Sequence, residues 1–491
     1  MNRIALARRL PSSSRSLLRL CNSSRLKVVS SSVSLSVSSK AQAALYSSAS
    51  SPSSSSIAID NKTIANKQKL YVIDQLTPGS IFFLPHGARI FNRLIEFMRV
   101  QQRLYGFEEV ITPLIYKQDL WKTSGHYQHY KQDMFEVIGE HHHEGEGEVD
   151  ESHYGLKPMN CPGHCVMFSK HDRSFRDLPV RFADFSPLHR NESSGALSGL
   201  TRVRKFHQDD GHIFCEPSQI KSEIESCLAL IETSYCVFGL NEYRLSLSTR
   251  PEGYVGTLDV WNKAEENLKM ALDNSGKEWH INEGDGAFYG PKIDILVKDN
   301  NGKEHQTATI QLDFQLPKNF DLKYTGSEKT VENTPVLIHR AVFGSLERFM
   351  AILLDHYQGN WPFWLNPKQA VIIPVAERHH DYASKIYSKL SGKNDFITSN
   401  EASGSKSFPV SVQPGKLHSR YFNVDILASD ETVGARTRRA ISEGYSYIIM
   451  VGDREVENAN LSVRSRTNRK TEALEIKDVI TKFSNLEDNY E

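Results

Sequence analysis

The chain has 491 residues, and its 59 Lys and Arg balance its 59 Asp and Glu, so the net charge at neutral pH is zero. That length suits two or three domains, and the lack of any run of about twenty apolar residues argues against a membrane span or a membrane partner. Six cysteines without regular spacing argue against a disulfide framework and leave reduced thiols or a metal ligand as the expectation.

The zero charge conceals an unusual start. No acid occurs before Asp60, while Arg3, Arg8, Arg9, Arg15, Arg19, Arg25, Lys27 and Lys40 lie in a serine-rich background. A basic, serine-rich, acid-free N-terminus matches an organelle transit peptide, with a basic nucleic-acid-binding arm as the alternative. The arginines punctuate Ile4, Leu6, Leu10, Leu17, Leu18 and Leu20 as in a basic amphipathic helix, which favours the mitochondrial matrix over a plastid. Residues 1–56 are therefore assigned to a transit peptide or disorder. Without these bases acids are in excess, so any nucleic-acid binding must use local basic surfaces.

A compact domain is expected to begin near Leu70. Apolar residues at helical spacing (Ile90, Phe91, Leu94, Ile95, Met98, Leu104) predict a helix over 89–105, stopped by Gly106. Residues 107–116 suggest a strand broken by Pro113, suited to an edge or a subunit boundary. The acidic, glycine-containing stretch 139–152 predicts a surface loop. Its run His141, His142, His143 is not expected to hold a metal, because a structural site needs ligands held in fixed geometry. From Tyr154 to about Asp355 strands and helices alternate without a G-x-G-x-x-G or G-x-x-x-x-G-K-[ST] pattern, so any ATP chemistry needs another phosphate cradle. A long helix over 340–357 is predicted from Val342, Leu346, Phe349, Leu353 and Leu354, with Gly359 ending it.

A composition break at 360–367 precedes a second domain. Strands are predicted over 370–375, 423–428 and 445–451, and helices over 376–390, 431–443 and 471–483. This alternation implies a small parallel or mixed sheet.

Three segments offer a Cys or His beside strand or turn chemistry: Lys157-Pro-Met-Asn-Cys161-Pro-Gly-His164, Phe206-His-Gln208-Asp-Asp210-Gly-His212 and Leu337-Ile-His339-Arg-Ala. On spacing alone each is an ordinary core or surface residue. A second signal is basic. His189-Arg190-Asn191-Glu192, Arg202-Val-Arg204, Gly290-Pro-Lys292 and Gly344-Ser-Leu-Glu-Arg348 supply cations that can grip a polyphosphate, or only form surface ion pairs.

MNCPGH, HRNESSG, TRVRKFHQDDGHIF, GAFYGPKID, QLDFQLP and IHRAVFGSLERF occur here in one order. Together they resemble the catalytic core of threonyl-tRNA synthetases, over about residues 77–360 and more weakly to about 485. The resemblance implies an α+β fold: a class II synthetase antiparallel sheet with flanking helices over 70–362, and a C-terminal α/β anticodon-binding domain over 367–491. It implies that L-threonine is activated with ATP to threonyl-adenylate and passed to tRNA(Thr) in mitochondrial translation. The helix over 89–105 and the strand through Pro113 look like motif 1, which builds a homodimer.

By the same resemblance Arg190 binds the α-phosphate, Glu192 helps recognise adenine, and Phe206 and Arg348 sandwich the base. Arg202 lies at the γ-phosphate end, Gln306 lines the ATP side of the pocket, and Lys292 lies near the carboxylate and α-phosphate. Arg190, Lys292 and Arg348 are the implied catalytic residues, with Mg²⁺ accompanying ATP. Cys161, His212 and His339 match three ligands of one Zn²⁺ per subunit, open to the threonine amino and hydroxyl groups. Asp210 takes the hydroxyl hydrogen bond, and Met159, Gln208, Tyr289 and Gln311 complete the threonine pocket. Serine lacks only a methyl, worth about 1–3 kcal/mol. Bacterial-type members carry an N-terminal editing domain for that reason; only about seventy residues precede the core here, so none is expected. Glu431, Arg436 and Arg438 match a helix start facing the anticodon loop, with a merely solvated basic helix as the alternative. A seryl or prolyl synthetase, a class II-like accessory protein and a noncatalytic nucleic-acid-binding module are the competing readings.

Overall fold

A computed structural model describes residues 61–142, 149–299, 302–328, 332–393, 420–468 and 470–491. The transit-peptide assignment and the centre of the acidic loop, with His143, lie outside the described residues.

Among the described residues, eight strands form the main sheet: β1 (Glu108–Glu109), β2 (Val180–Asp184), β3 (Asp210–Cys215), β4 (Tyr243–Ser248), β5 (Trp279–Asn282), β6 (Lys292–Lys298), β7 (Glu304–Asp313) and β8 (Val336–Ala341). Their order is β5-β4-β6-β7-β8-β3-β2-β1. The strands from β4 to β2 pair antiparallel, and only the two edge pairs are parallel.

Alternation along β3 and β8 divides two faces. Ile213, Cys215, Val336 and Ile338 enter the large core, while Phe214 and Leu337 enter a smaller one on the other face. The large core is closed by α1 (Pro85–Leu104), α3 (Ile220–Phe238), α4 (Leu258–Ser275) and α5 (Leu346–Tyr357); the smaller one receives the short α2 (Cys161–Phe168). Helix α1 starts on Pro85, buries Ile90, Phe91, Leu94, Phe97 and Met98, and stops before Gly106 at φ +79°.

The C-terminal part holds a five-stranded mixed sheet: β9 (Ala370–Pro374), β10 (Val424–Ile426), β11 (Tyr447–Val451), β12 (Leu461–Ser465) and β13 (Glu472–Leu474), in the order β10-β9-β11-β12-β13. It is flanked by α6 (His380–Ser391), α7 (Val433–Ser442) and α8 (Ile476–Asp488). No described helix is long and apolar enough to cross a membrane.

Four expectations are corrected. Packed structure begins before Leu70, because the helix Asn61–Gln68 buries Ile64 and Ala65. The loop over 139–152 is narrower: Glu136–His142 and Val149–Leu156 pair as antiparallel strands, so strand pairing overrides the polar composition. The helix over 340–357 is a strand, a turn and a helix. Gly344 takes φ +66°, and Ser345 caps α5 by accepting the Arg348 N–H, so the helical apolar spacing that begins at Val342 is fortuitous. The final helix over 471–483 starts only at Ile476, because residues 472–474 pair with β12 as an edge strand.

Candidate active site

The sheet sets the site through one cross-strand row. Ser248, Lys292, Gln311, His339, His212 and Phe182 are successive register partners from β4 across to β2. Residues directly opposite one another share a face. Residues far apart in the chain are thus aligned by strand register, with Asp210 two positions from His212 on the same face.

Cys161 reaches this row from the first turn of α2. The Cys161, His212 and His339 ligand atoms all lie within 4.8 Å of one another, and all three residues are buried. The Asp313 carboxylate accepts the Nε2–H of His339 at 3.0 Å, which leaves the His339 Nδ1 lone pair facing His212 Nε2 at 2.9 Å. Burial first, then neighbouring His164 and His339, push His212 well below its ordinary value, so its ring is a neutral donor. Burial, then Cys165 and the Asp210 and Asp313 carboxylates, holds the Cys161 thiol well above its usual value. A thiol and two imidazoles, gathered in a buried site, can hold a metal ion, whose charge would favour the thiolate.

Asp210 accepts Asn160 Nδ2–H at 2.8 Å. Burial raises the Asp210 carboxyl against that bond. The Tyr289 hydroxyl donates to Gln311 Oε1 at 2.7 Å, and its ring lies 5.4 Å from that of His339. Met159 packs on the smaller core beside α2, and Gln208 bridges to Ser345 ahead of α5. Lys292 Nζ is held by Asp294 at 2.9 Å and Asp285 at 3.1 Å.

The cations gather next to this row. The short strands Pro187–His189 and Lys205–His207 pair antiparallel and present Arg190 and Phe206, with the Arg190 guanidinium 5.1 Å from the Phe206 ring centroid. Arg348 donates through Nε to the Thr201 carbonyl at 3.1 Å and through Nη1 to the Gln306 carbonyl at 3.4 Å. Burial, then Arg190 and Arg202, lowers its pKa. Like charges at close quarters create a site for a polyanion. A cleft of about 340 Å³ lined by Arg202, Gln306 and Arg348 opens beside them. Glu192 and Arg202, expected to touch opposite ends of a nucleotide, are paired with each other at 2.8 Å. Arg202 is exposed, and such a pair is worth only about 0–1 kcal/mol, so little energy holds the two side chains together.

Three buried acids were not singled out in the sequence, although each stands in a quoted motif. Asp313 orients His339. Asp294 holds Lys292 and also accepts from Gln306 and Thr309. Asp209 accepts the backbone N–H groups of Val342, Phe343 and Gly344, while burial lifts its carboxyl to about 7 against the pull of Arg340 and those N–H groups. For Asp294 and Asp313 an acid in a strand segment rich in apolar residues was the available signal, whereas Asp209 lies outside the strands in a polar run.

The tRNA synthetase class II core domain (G, H, P, S and T) family matches residues 143–357, and the anticodon binding domain family matches residues 369–486. The chain is 52% identical over 421 residues to the probable mitochondrial threonine–tRNA ligase of Schizosaccharomyces pombe, covering 84% of this chain and 85% of that protein. The chain belongs to the threonyl-tRNA synthetases. The mitochondrial threonine–tRNA ligase of Saccharomyces cerevisiae is 50% identical over 452 residues, covering 89% of this chain and 93% of that one. A crystal structure titled as the RNA binding domain of threonyl-tRNA synthetase from Cryptosporidium parvum superposes with TM-score 0.77 at 42% identity, covering 87% of this chain and 98% of that one.

In this threonyl-tRNA synthetase the helix start expected at the anticodon is only partly available. Arg436 is a correction: it is buried, and its Nη1 donates to the carbonyls of Pro374 at 2.7 Å and Leu427 at 3.2 Å, tying α7 to the sheet. The cause is its position on the inward face of α7, one turn before the buried Ala440. Arg438 is exposed, and Glu431, also exposed, is paired with Arg439 at 2.9 Å.

Proposed function

We propose that the chain is a mitochondrial threonine–tRNA ligase that makes threonyl-adenylate from L-threonine and ATP and transfers the threonyl group to tRNA(Thr). The observation that carries this is the single row in which Lys292, Gln311, His339 and His212 meet Cys161, beside the arginines that flank the nucleotide cleft.

Cys161, His212 and His339 hold one Zn²⁺ per subunit, because thiolate and imidazole donors in a closed apolar setting suit that ion. When bound, it supplies a Lewis acid with coordination left open to the amino and hydroxyl groups of threonine. Asp210 accepts the hydrogen bond of the threonine hydroxyl, while Tyr289 and Gln311 wall the pocket together with Met159 and Gln208. A site built for a hydroxyl rejects the isosteric apolar analogue by about 10⁴–10⁵, so valine is excluded. In the first step the threonine carboxylate oxygen attacks the α-phosphorus of ATP, and pyrophosphate leaves. Arg190 and Lys292 stabilise the charge on the α-phosphate, Arg202 holds the far phosphate, and Mg²⁺ accompanies ATP as in class II synthetases. Glu192 contacts adenine and Gln306 lines the ATP side of the pocket, with Phe206 and Arg348 on the two faces of the base. In the second step a terminal ribose hydroxyl of the tRNA attacks the acyl carbon, and AMP leaves. Glu431 and Arg438 meet the anticodon loop.

The chain acts as a homodimer. Ile111, Leu114 and Ile115 are exposed just after α1 and need cover, which favours a symmetric partner.

ATP–pyrophosphate exchange with a panel of amino acids tests the assignment. Exchange should depend on threonine, run weakly with serine and be absent with valine and proline. Exchange driven best by serine or proline contradicts it.

A further inference from the structure

A line of ionisable groups continues past the three metal-binding side chains. Asp184 Oδ2 lies 3.7 Å from His164 Nε2, His164 Nδ1 lies 2.8 Å from His212 Nδ1, His212 Nε2 lies 2.9 Å from His339 Nδ1, and His339 Nε2 lies 3.0 Å from Asp313 Oδ2. Every member is buried, and His164 is 0% exposed.

Hydrogen-bond chemistry restricts where the protons lie. A carboxylate only accepts, so each outer imidazole turns an N–H toward its acid. His339 then carries its proton on Nε2 and His164 on Nε2. His164 Nδ1 is left as an acceptor, and at 2.8 Å it must receive the proton of His212 Nδ1. His212 Nε2 is left bare, opposite the bare Nδ1 of His339 and beside Cys161. The reverse assignment sets a lone pair of His164 Nε2 against the Asp184 carboxylate 3.7 Å away in a buried interior, a repulsion that an N–H at Nε2 turns into an attraction. Asp184 is anchored as an acceptor by Thr112, whose hydroxyl oxygen in turn receives the buried Lys157 ammonium.

We infer that His164 is a positioning residue that selects the tautomer of His212 and so aims its Nε2 lone pair at the metal. It is not a fourth ligand: its Nδ1 is occupied by His212 and its Nε2 faces Asp184. The inference rests on the zinc reading proposed above and adds a second carboxylate–histidine support, opposite the one from Asp313.

The test is zinc affinity of the full-length chain, measured by competition with a chromophoric chelator, together with the threonine and ATP KM values in pyrophosphate exchange, for wild type, His164→Leu and His164→Asn. His164→Leu should weaken zinc binding by about ten- to a hundred-fold and raise the threonine KM, leaving the ATP KM unmoved. His164→Asn, whose amide oxygen can accept the same Nδ1–H, should recover most of the affinity. A His164→Leu protein that holds zinc as tightly as wild type overturns the inference, as does an Asn variant no better than Leu. Should the Leu variant not fold, ¹⁵N-histidine spectra of the zinc-loaded wild type decide: a proton on His212 Nδ1 supports the inference, and one on Nε2 overturns it. A wild type that takes up no zinc removes the metal reading itself, a result distinct from all of these.

Discussion

Asp209 Oδ1 accepts the backbone N–H groups of both Phe343 and Gly344, at 2.9 and 3.1 Å. The start of the strand that carries His212 is thereby tied to the turn that launches Arg348, so the candidate metal ligands and the arginines of the cleft share one support. Gly344 sits at φ +66°, with Thr307 O where a side chain would be, so this turn is built for glycine.

Asp209→Asn should therefore loosen the turn. Its amide nitrogen would face backbone N–H groups, and lost hydrogen bonds to a charged acceptor cost about 1.5–3 kcal/mol. A lower Tm and a raised ATP KM, with zinc content unchanged, are expected from calorimetry, exchange kinetics and metal analysis.

Arg190→Ala removes the cation proposed for the α-phosphate and leaves Cys161, His212 and His339 in place. Exchange kcat should fall by about 10²–10³, the loss typical of one preorganised transition-state donor. Single-turnover adenylate formation measures this; an unchanged rate takes Arg190 out of the site.

Much of this was legible in the sequence, for uneven reasons. Helix α1 could be placed because its apolar stripe is long and regular and a proline and a glycine bound it. Cys161, His212 and His339 stood out only as members of long motifs, since their convergence depends on strand register and not on spacing. Residues 340–345 misled because their helical apolar pattern is cancelled by a tertiary carboxylate, Asp209, more than a hundred residues away. Arg436 misled because a basic run says nothing about which arginine faces inward.

Asp184 predicts a pH effect. Burial alone would raise its carboxyl, but hydrogen bonds from His164, Ser186 and Thr112 and the charge of Lys157 hold it well below the usual value. A carboxylate depressed in the folded state adds stability above its unfolded pKa, near 4, and loses it as the pH falls below that. Tm measured from pH 6 down to 3 should drop more steeply for wild type than for Asp184→Asn.

Arg436 and Arg438 should separate cleanly. Arg436→Ala frees two main-chain carbonyls and should cost about 1–3 kcal/mol in stability. Arg438→Ala should leave Tm unchanged, weaken tRNA binding and reduce its salt slope by about 1. Denaturation and salt-dependent binding titrations check both.

The account stands on the convergence of Cys161, His212 and His339, and the most direct measurement is metal content of the purified full-length chain against that of Cys161→Ala. One zinc per wild-type subunit, lost in the variant together with threonine-dependent exchange, is the predicted result. A Cys161→Ala protein that keeps its zinc and activates threonine normally contradicts it.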